Sequence, residues 1–178
     1  MTESASLLNR QAIELASKGE YKEAIACFKR ALCMEKFNYL LWFNLGVTYR
    51  DAGDLIQAKE ALEKAYSIEQ EDDEVIETLA LISFNLGDKE EALEYCAEGL
   101  SLNERNAHLW NTLGVIYFND EKYDKACEAF ENAITINPYY YDALFNLRDT
   151  YEETGNQIGY YECAKQMKYI KEQNNQNA

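Results

Sequence analysis

The feature that most constrains this chain is a period of 34 residues. Leu45 recurs as Leu79, Leu113 and Leu147, Ala24 recurs as Ala58, Ala92 and Ala126, and Trp42 returns two periods on as Trp110. Such a period in helix-friendly sequence marks stacked helical hairpins, none of which can bury its apolar face alone. The units fall at 5–38, 39–72, 73–106, 107–140 and 141–174 and read as one array over 5–174, with flexible tails at 1–4 and 175–178. One proline and eight glycines leave little room for sheet turns or long loops, so the expected class is all-α.

Each unit has the pattern of two helices. In the first, Leu8, Ala12 and Leu15 precede a turn at Gly19, and Tyr21, Ala24, Phe28 and Ala31 follow it. Spacings of three and four put one apolar stripe on each helix, with room for about 14 residues or about 21 Å. Asp54 with Gln57, and Asp88 with Glu91, read as capping boxes at second-helix starts. Ala12, Gly46, Ala80 and Gly114 face Ala24, Ala58, Ala92 and Ala126 in the partner helices, and small residues let the two backbones approach closely. The fifth unit departs from this, because Arg148 and Tyr160 hold both small slots. Its helices are expected to cross further apart, and Lys165, Lys168 and Lys171 suit the polar face of a cap.

The string Trp110, Leu113, Gly114, Tyr117, Ala126, Phe130 and Pro138 matches the W-x₂-L-G-x₂-Y…A-x₃-F…P pattern without a gap, and Trp42, Leu45, Gly46 and Tyr49 match its first half. The chain therefore resembles the tetratricopeptide repeat family from about residue 5 to about residue 174. The resemblance implies a right-handed solenoid of about five antiparallel helix pairs. It also implies that first helices line a concave groove, which in this family often holds an extended peptide.

Composition removes several functions. The net charge is −15, and residues 73–106 alone carry nine acids against two bases. Such a surface repels a phosphate backbone, so no nucleic-acid partner is expected. The acidity serves solubility first and attraction of a basic partner second. Cys27, Cys33, Cys96, Cys127 and Cys163 form no C-x-x-C pair and lie among apolar neighbours in second helices. They read as small hydrophobes in a reduced, cytoplasmic protein. The start MTESASLLNR does not read as a signal peptide, and no apolar run of about 18 residues exists to span a membrane. His108 reads as a surface residue, and the acid pairs Asp72-Asp73 and Glu90-Glu91 suit helix N-termini. With no catalytic constellation in view, neither enzymatic activity nor a cofactor is expected.

What remains is the face of the first helices. Read at the 34-residue interval, it holds Asn9, Phe43 and Asn111 in one row and Arg10, Asn44 and Asn146 in the next. Val47, Leu81 and Val115 follow, then Arg50, Phe84 and Phe118, then Asn85 and Asn119. An apolar strip of Val47, Leu81, Phe84, Val115 and Phe118 with asparagine borders suits an extended peptide, because asparagine both donates to and accepts from a peptide group. These side chains are equally suited to packing against neighbouring hairpins. The carboxylate clamp of chaperone-tail-binding relatives is not matched: its slots hold Asn9, Ile13, Asn44, Glu74 and Thr78, with no cation among them. The expected function is a protein-interaction adaptor for a peptide or protein segment, basic or mixed polar and apolar. The alternative is self-association, with the groove filled by another copy or by the chain's own tail.

Overall fold

The computed structural model describes residues 4–176. Among them the chain forms ten helices and no strand: α1 (Ala5–Ser17), α2 (Tyr21–Met34), α3 (Tyr39–Asp51), α4 (Leu55–Ile68), α5 (Asp73–Asn85), α6 (Lys89–Leu102), α7 (Ala107–Asn119), α8 (Tyr123–Ile136), α9 (Tyr141–Thr154) and α10 (Gln157–Gln176). Helices α1 to α9 have 13 or 14 residues, as the spacing requires. Of the expected tails, Ser4 caps α1 and α10 continues through Gln176; residues 1–3 and 177–178 lie outside the described residues.

The turns repeat as strictly as the helices. Ser4, Asn38, Asp72 and Asn106 are N-caps spaced by 34, and each side chain accepts a backbone N–H from the first turn that follows. Tyr140 holds the fifth position and makes no side-chain cap. Asp54 and Asp88 accept from Gln57 N and Glu91 N at 3.2 Å. The returning arm of a capping box is missing at both, since Gln57 donates to Glu60 and Glu91 accepts from Ser83. Inside each hairpin one turn residue has positive φ: Gly19, Gly53 and Gly87, then Gly155 at +73°. The fourth member of that series is Glu121, at φ +59°, where a side chain crowds the backbone.

The chain divides into two compact units, Met1–Tyr95 and Cys96–Ala178, with the boundary inside α6. In the first, α1 to α5 pack in sequence order, and α1 with α3 and α3 with α5 also meet as neighbouring first helices. In the second, α7 to α10 pack in sequence order, and α7 meets α9. Gly46 lies so close to α4 that an added Cβ would stand 2.6 Å from Leu62, and at Gly114 it would stand 2.5 Å from the Phe130 ring. The expected close approach holds at both sites, but the nearest atoms belong to a large side chain, Leu62 or Phe130, and not to the expected alanine. In the fifth hairpin a close approach persists by another route: a Cβ on Gly159 would meet the Tyr151 ring at 2.5 Å. The glycine has moved to the second helix and the ring to the first.

Candidate functional site

Each unit carries its own portion of the first-helix face. In the first, Val47 and Phe43 on α3 and Phe84 on α5 are half-buried, Leu81 is 38% exposed and Asn85 is exposed. Asn44 donates its amide to the side-chain oxygen of Asn9, 3.2 Å away on α1. Arg50 directs Nε and one Nη at Asp51, at 2.9 and 2.8 Å, so its charge is locally compensated. Arg10 is exposed on α1. Thr78, which follows Asn44 by one period, is buried and donates to the backbone oxygen of Glu74. The row is interrupted there.

The second unit repeats the asparagine pair. Asn146 on α9 donates its amide to Asn111 on α7 at 3.0 Å, the same bond three periods further along. Asn44 and Asn146 thus use a donor, while Asn9 and Asn111 use an acceptor; the Asn44 carbonyl and the Asn111 amide are the groups left for another partner. Asn119 turns back to the Val115 carbonyl at 2.9 Å. Beside these amides lies a hollow of about 190 Å³, lined by Val115, Phe118 and Asn119 of α7, Phe130 of α8, and Asn146 and Asp149 of α9. Its floor is apolar and its rim is polar. The two portions do not differ in kind; they share residue types because they share a period.

Sequence reasoning assigned Asn44 and Asn111 to this face and missed their bonds to Asn9 and Asn146. The signal was present, since asparagines 35 apart on adjacent first helices face each other whenever those helices touch. Cys33 corrects another expectation: it is exposed, whereas Cys96 and Cys163 are buried and Cys27 and Cys127 half-buried. Burial pushes the Cys96 thiol up to about 12 and the Cys127 and Cys163 thiols up to about 11, so none of these three is a ready nucleophile. His108 lies against Tyr140, with Nδ1 2.9 Å from the hydroxyl.

Repeat models account for most of the chain. Tetratricopeptide repeat models match residues 5–36, 39–72 and 74–106, and a second model of the same repeat matches 107–140. This chain belongs to the tetratricopeptide repeat family. A search of curated proteins finds no match. Among solved structures it is similar to MamA, at 26% identity and a TM-score of 0.79 over 93% of this chain and 96% of that one. PilF of Pseudomonas aeruginosa superposes with a TM-score of 0.84 at 15% identity, over 93% of this chain and 76% of that one. YrrB, described as a TPR protein with an unusual peptide-binding site, has a TM-score of 0.69 at 23% identity over 92% and 84%. The repeats of this family are typical of protein-interaction scaffolds, and no described helix is long and apolar enough to cross a membrane.

Proposed function

We propose that this repeat protein is a non-catalytic adaptor that holds an extended peptide or protein segment along its first-helix face. The observation that carries this reading is the hollow beside Val115 and Phe118, where an apolar floor meets convergent amides. An apolar side chain of the partner enters it, while the Asn111 amide engages the partner's backbone; in the first unit the Asn44 carbonyl offers a contact of the same kind on that unit's own portion of the face. The likeness to YrrB supports a peptide as the ligand class. Five cysteines left as free thiols suit a reducing compartment such as the cytoplasm.

The test begins with a pull-down from the source cell and proceeds to titration of the retained protein. Asn111→Ala and Asn44→Ala each leave a partner's peptide group unpaired, costing about 1–3 kcal/mol, or roughly five- to 150-fold in affinity. Phe118→Ala is expected to fall in the same range when the ligand buries its ring. Thermal melts of each variant separate binding from folding, which matters for Phe118 because its ring also contacts Tyr123. Parent-like affinity in all three variants ends this reading and moves the partner to another face.

A further inference from the structure

The fifth hairpin has exchanged its packing residues for cations, and the period shows where. The slot of Ala12, Gly46, Ala80 and Gly114 holds Arg148, and the slot of Phe28, Leu62, Cys96 and Phe130 holds Ala164. The Gly114 and Phe130 of the fourth hairpin have become Arg148 and Ala164 in the fifth. One helical turn along, Lys168 stands where Leu32, Tyr66, Leu100 and Ile134 stand in the earlier units. The result is a cleft of about 280 Å³ between α9 and α10, floored by Tyr141, Ala164 and Met167 and rimmed by Arg148, Lys168 and Lys171.

A polar cap alone requires no such charge, since serine or glutamine would keep a terminal helix soluble equally well. Here three cations line the cleft in a chain of net charge −15, with Asp149 beside Arg148 and Glu172 near Lys168. Two of the cations are held in place by rings. Lys171 Nζ lies 5.2 Å from the Tyr141 ring, and the Arg148 guanidinium lies 4.4 Å from Phe145 and 5.9 Å from Tyr160. Arg148 directs Nε and one Nη at Asp149, at 3.0 and 2.6 Å, which compensates its charge locally, as at Arg50, and orients the guanidinium with N–H donors to spare. Lys168 meets Glu172 only at 3.8 Å, with both side chains more than half exposed, a pairing a ligand can displace at little cost.

We propose that the α9–α10 cleft binds a short acidic peptide segment, with carboxylates on Arg148, Lys168 and Lys171 and an apolar side chain on Met167. The segment must be short. A long polyanion would run beyond three cations onto a surface that is acidic elsewhere, which disfavours nucleic acid. The cleft and the hollow at Val115 and Phe118 adjoin through Asp149, which lines the hollow and holds the Arg148 guanidinium.

The experiment uses the full chain and a fluorescein-labelled acidic octapeptide, EELEELEE, followed by fluorescence anisotropy at about 50 mM salt, where screening is weak. Saturable binding is expected, weakening as salt rises. The double variant Lys168→Glu, Lys171→Glu is expected to bind about tenfold or more weakly, since it removes two charge-assisted contacts and adds repulsion. Lys165→Glu, whose lysine faces Tyr139 and Tyr169 on the other side of α10, is expected to stay within about twofold. Both charge changes lie on exposed residues, so folding is not at issue; Arg148→Gln with a melt is the supporting variant. Three results overturn the proposal: no saturable binding at low salt, parent-like binding by the double variant, or tighter binding of a single-stranded DNA octamer than of the peptide. A fourth is self-association of the parent at low salt that the double variant abolishes, which makes the occupant a second copy.

Discussion

The fourth and fifth hairpins share a core, yet they solve the same packing problem in opposite ways. In the fourth, Gly114 admits the ring of Phe130, and the helix begins with the side-chain cap of Asn106. In the fifth, Arg148 faces Ala164, Gly159 admits the ring of Tyr151, and Tyr140 provides no side-chain cap. Phe130, Leu144, Leu147, Cys163 and Met167 belong to one buried cluster that joins the two hairpins. Both hairpins let a glycine admit a ring across the helix pair, but the glycine and the ring sit on opposite helices in the two. What changes between the hairpins is the chemistry left exposed: apolar floor and amides in one, cations over aromatic rings in the other.

The sharpest way to break this comparison is to transplant the exchange. Gly114→Leu forces a side chain into the Phe130 ring and is expected to cost about 1–3 kcal/mol, while Phe130→Ala, at a site 1% exposed, is expected to cost about 3–5 kcal/mol. If the two positions compensate in volume, the double variant is more stable than the sum of the two losses. Denaturant melts of the full cycle measure this coupling, and strict additivity contradicts it.

Alkaline titration probes the shared core. Burial, with Glu162 adding to it, raises the Cys163 thiol from its ordinary 9.0 to about 11, so the folded chain holds that proton more tightly than the unfolded chain. Its stabilising effect is complete below pH 9 and is lost as pH rises through about 11. The loss amounts to about 2 kcal/mol for this group. Cys127, raised in the same direction, and Tyr151, raised by burial and by its bond to Glu131, add to the trend. Cys163→Ala is expected to show a smaller stability difference between pH 8 and pH 11 than the parent. An equal difference would mean that the buried thiol is not coupled to folding.

The caps give a smaller contrast. Asn106 is 7% exposed and accepts from both His108 N and Leu109 N at 3.0 Å, so Asn106→Ala is expected to cost about 1–2 kcal/mol by thermal melt. The turns give the smallest effect, with opposite signs. Glu121→Gly relieves a left-handed side chain and is expected to stabilise by about 0.5–1 kcal/mol, whereas Gly155→Ala, at φ +73°, is expected to destabilise by about 1 kcal/mol. A Glu121→Gly variant no more stable than the parent would show that the turn is not strained.

The sequence by itself determined the all-α class, the position of each hairpin to within a residue or two, the small slots at Gly46 and Gly114, and the rows that form the first-helix face. These are properties of a period, and a period is read directly because each unit meets the same surroundings as the one before it. Tertiary structure alone decided the rest. That Asn44 bonds Asn9 and Asn146 bonds Asn111 depends on which rotamers two adjacent helices permit. That the fifth hairpin keeps a close approach at Gly159 while a cleft opens beside Arg148 depends on Tyr151 and Ala164 across the interface, which no single position reveals. That Glu121 takes positive φ follows from the two helices on either side, whose packing fixes the turn between them more strongly than one residue's preference can resist. Local periodicity names the slots, and contact across the helix pair determines what each slot can hold.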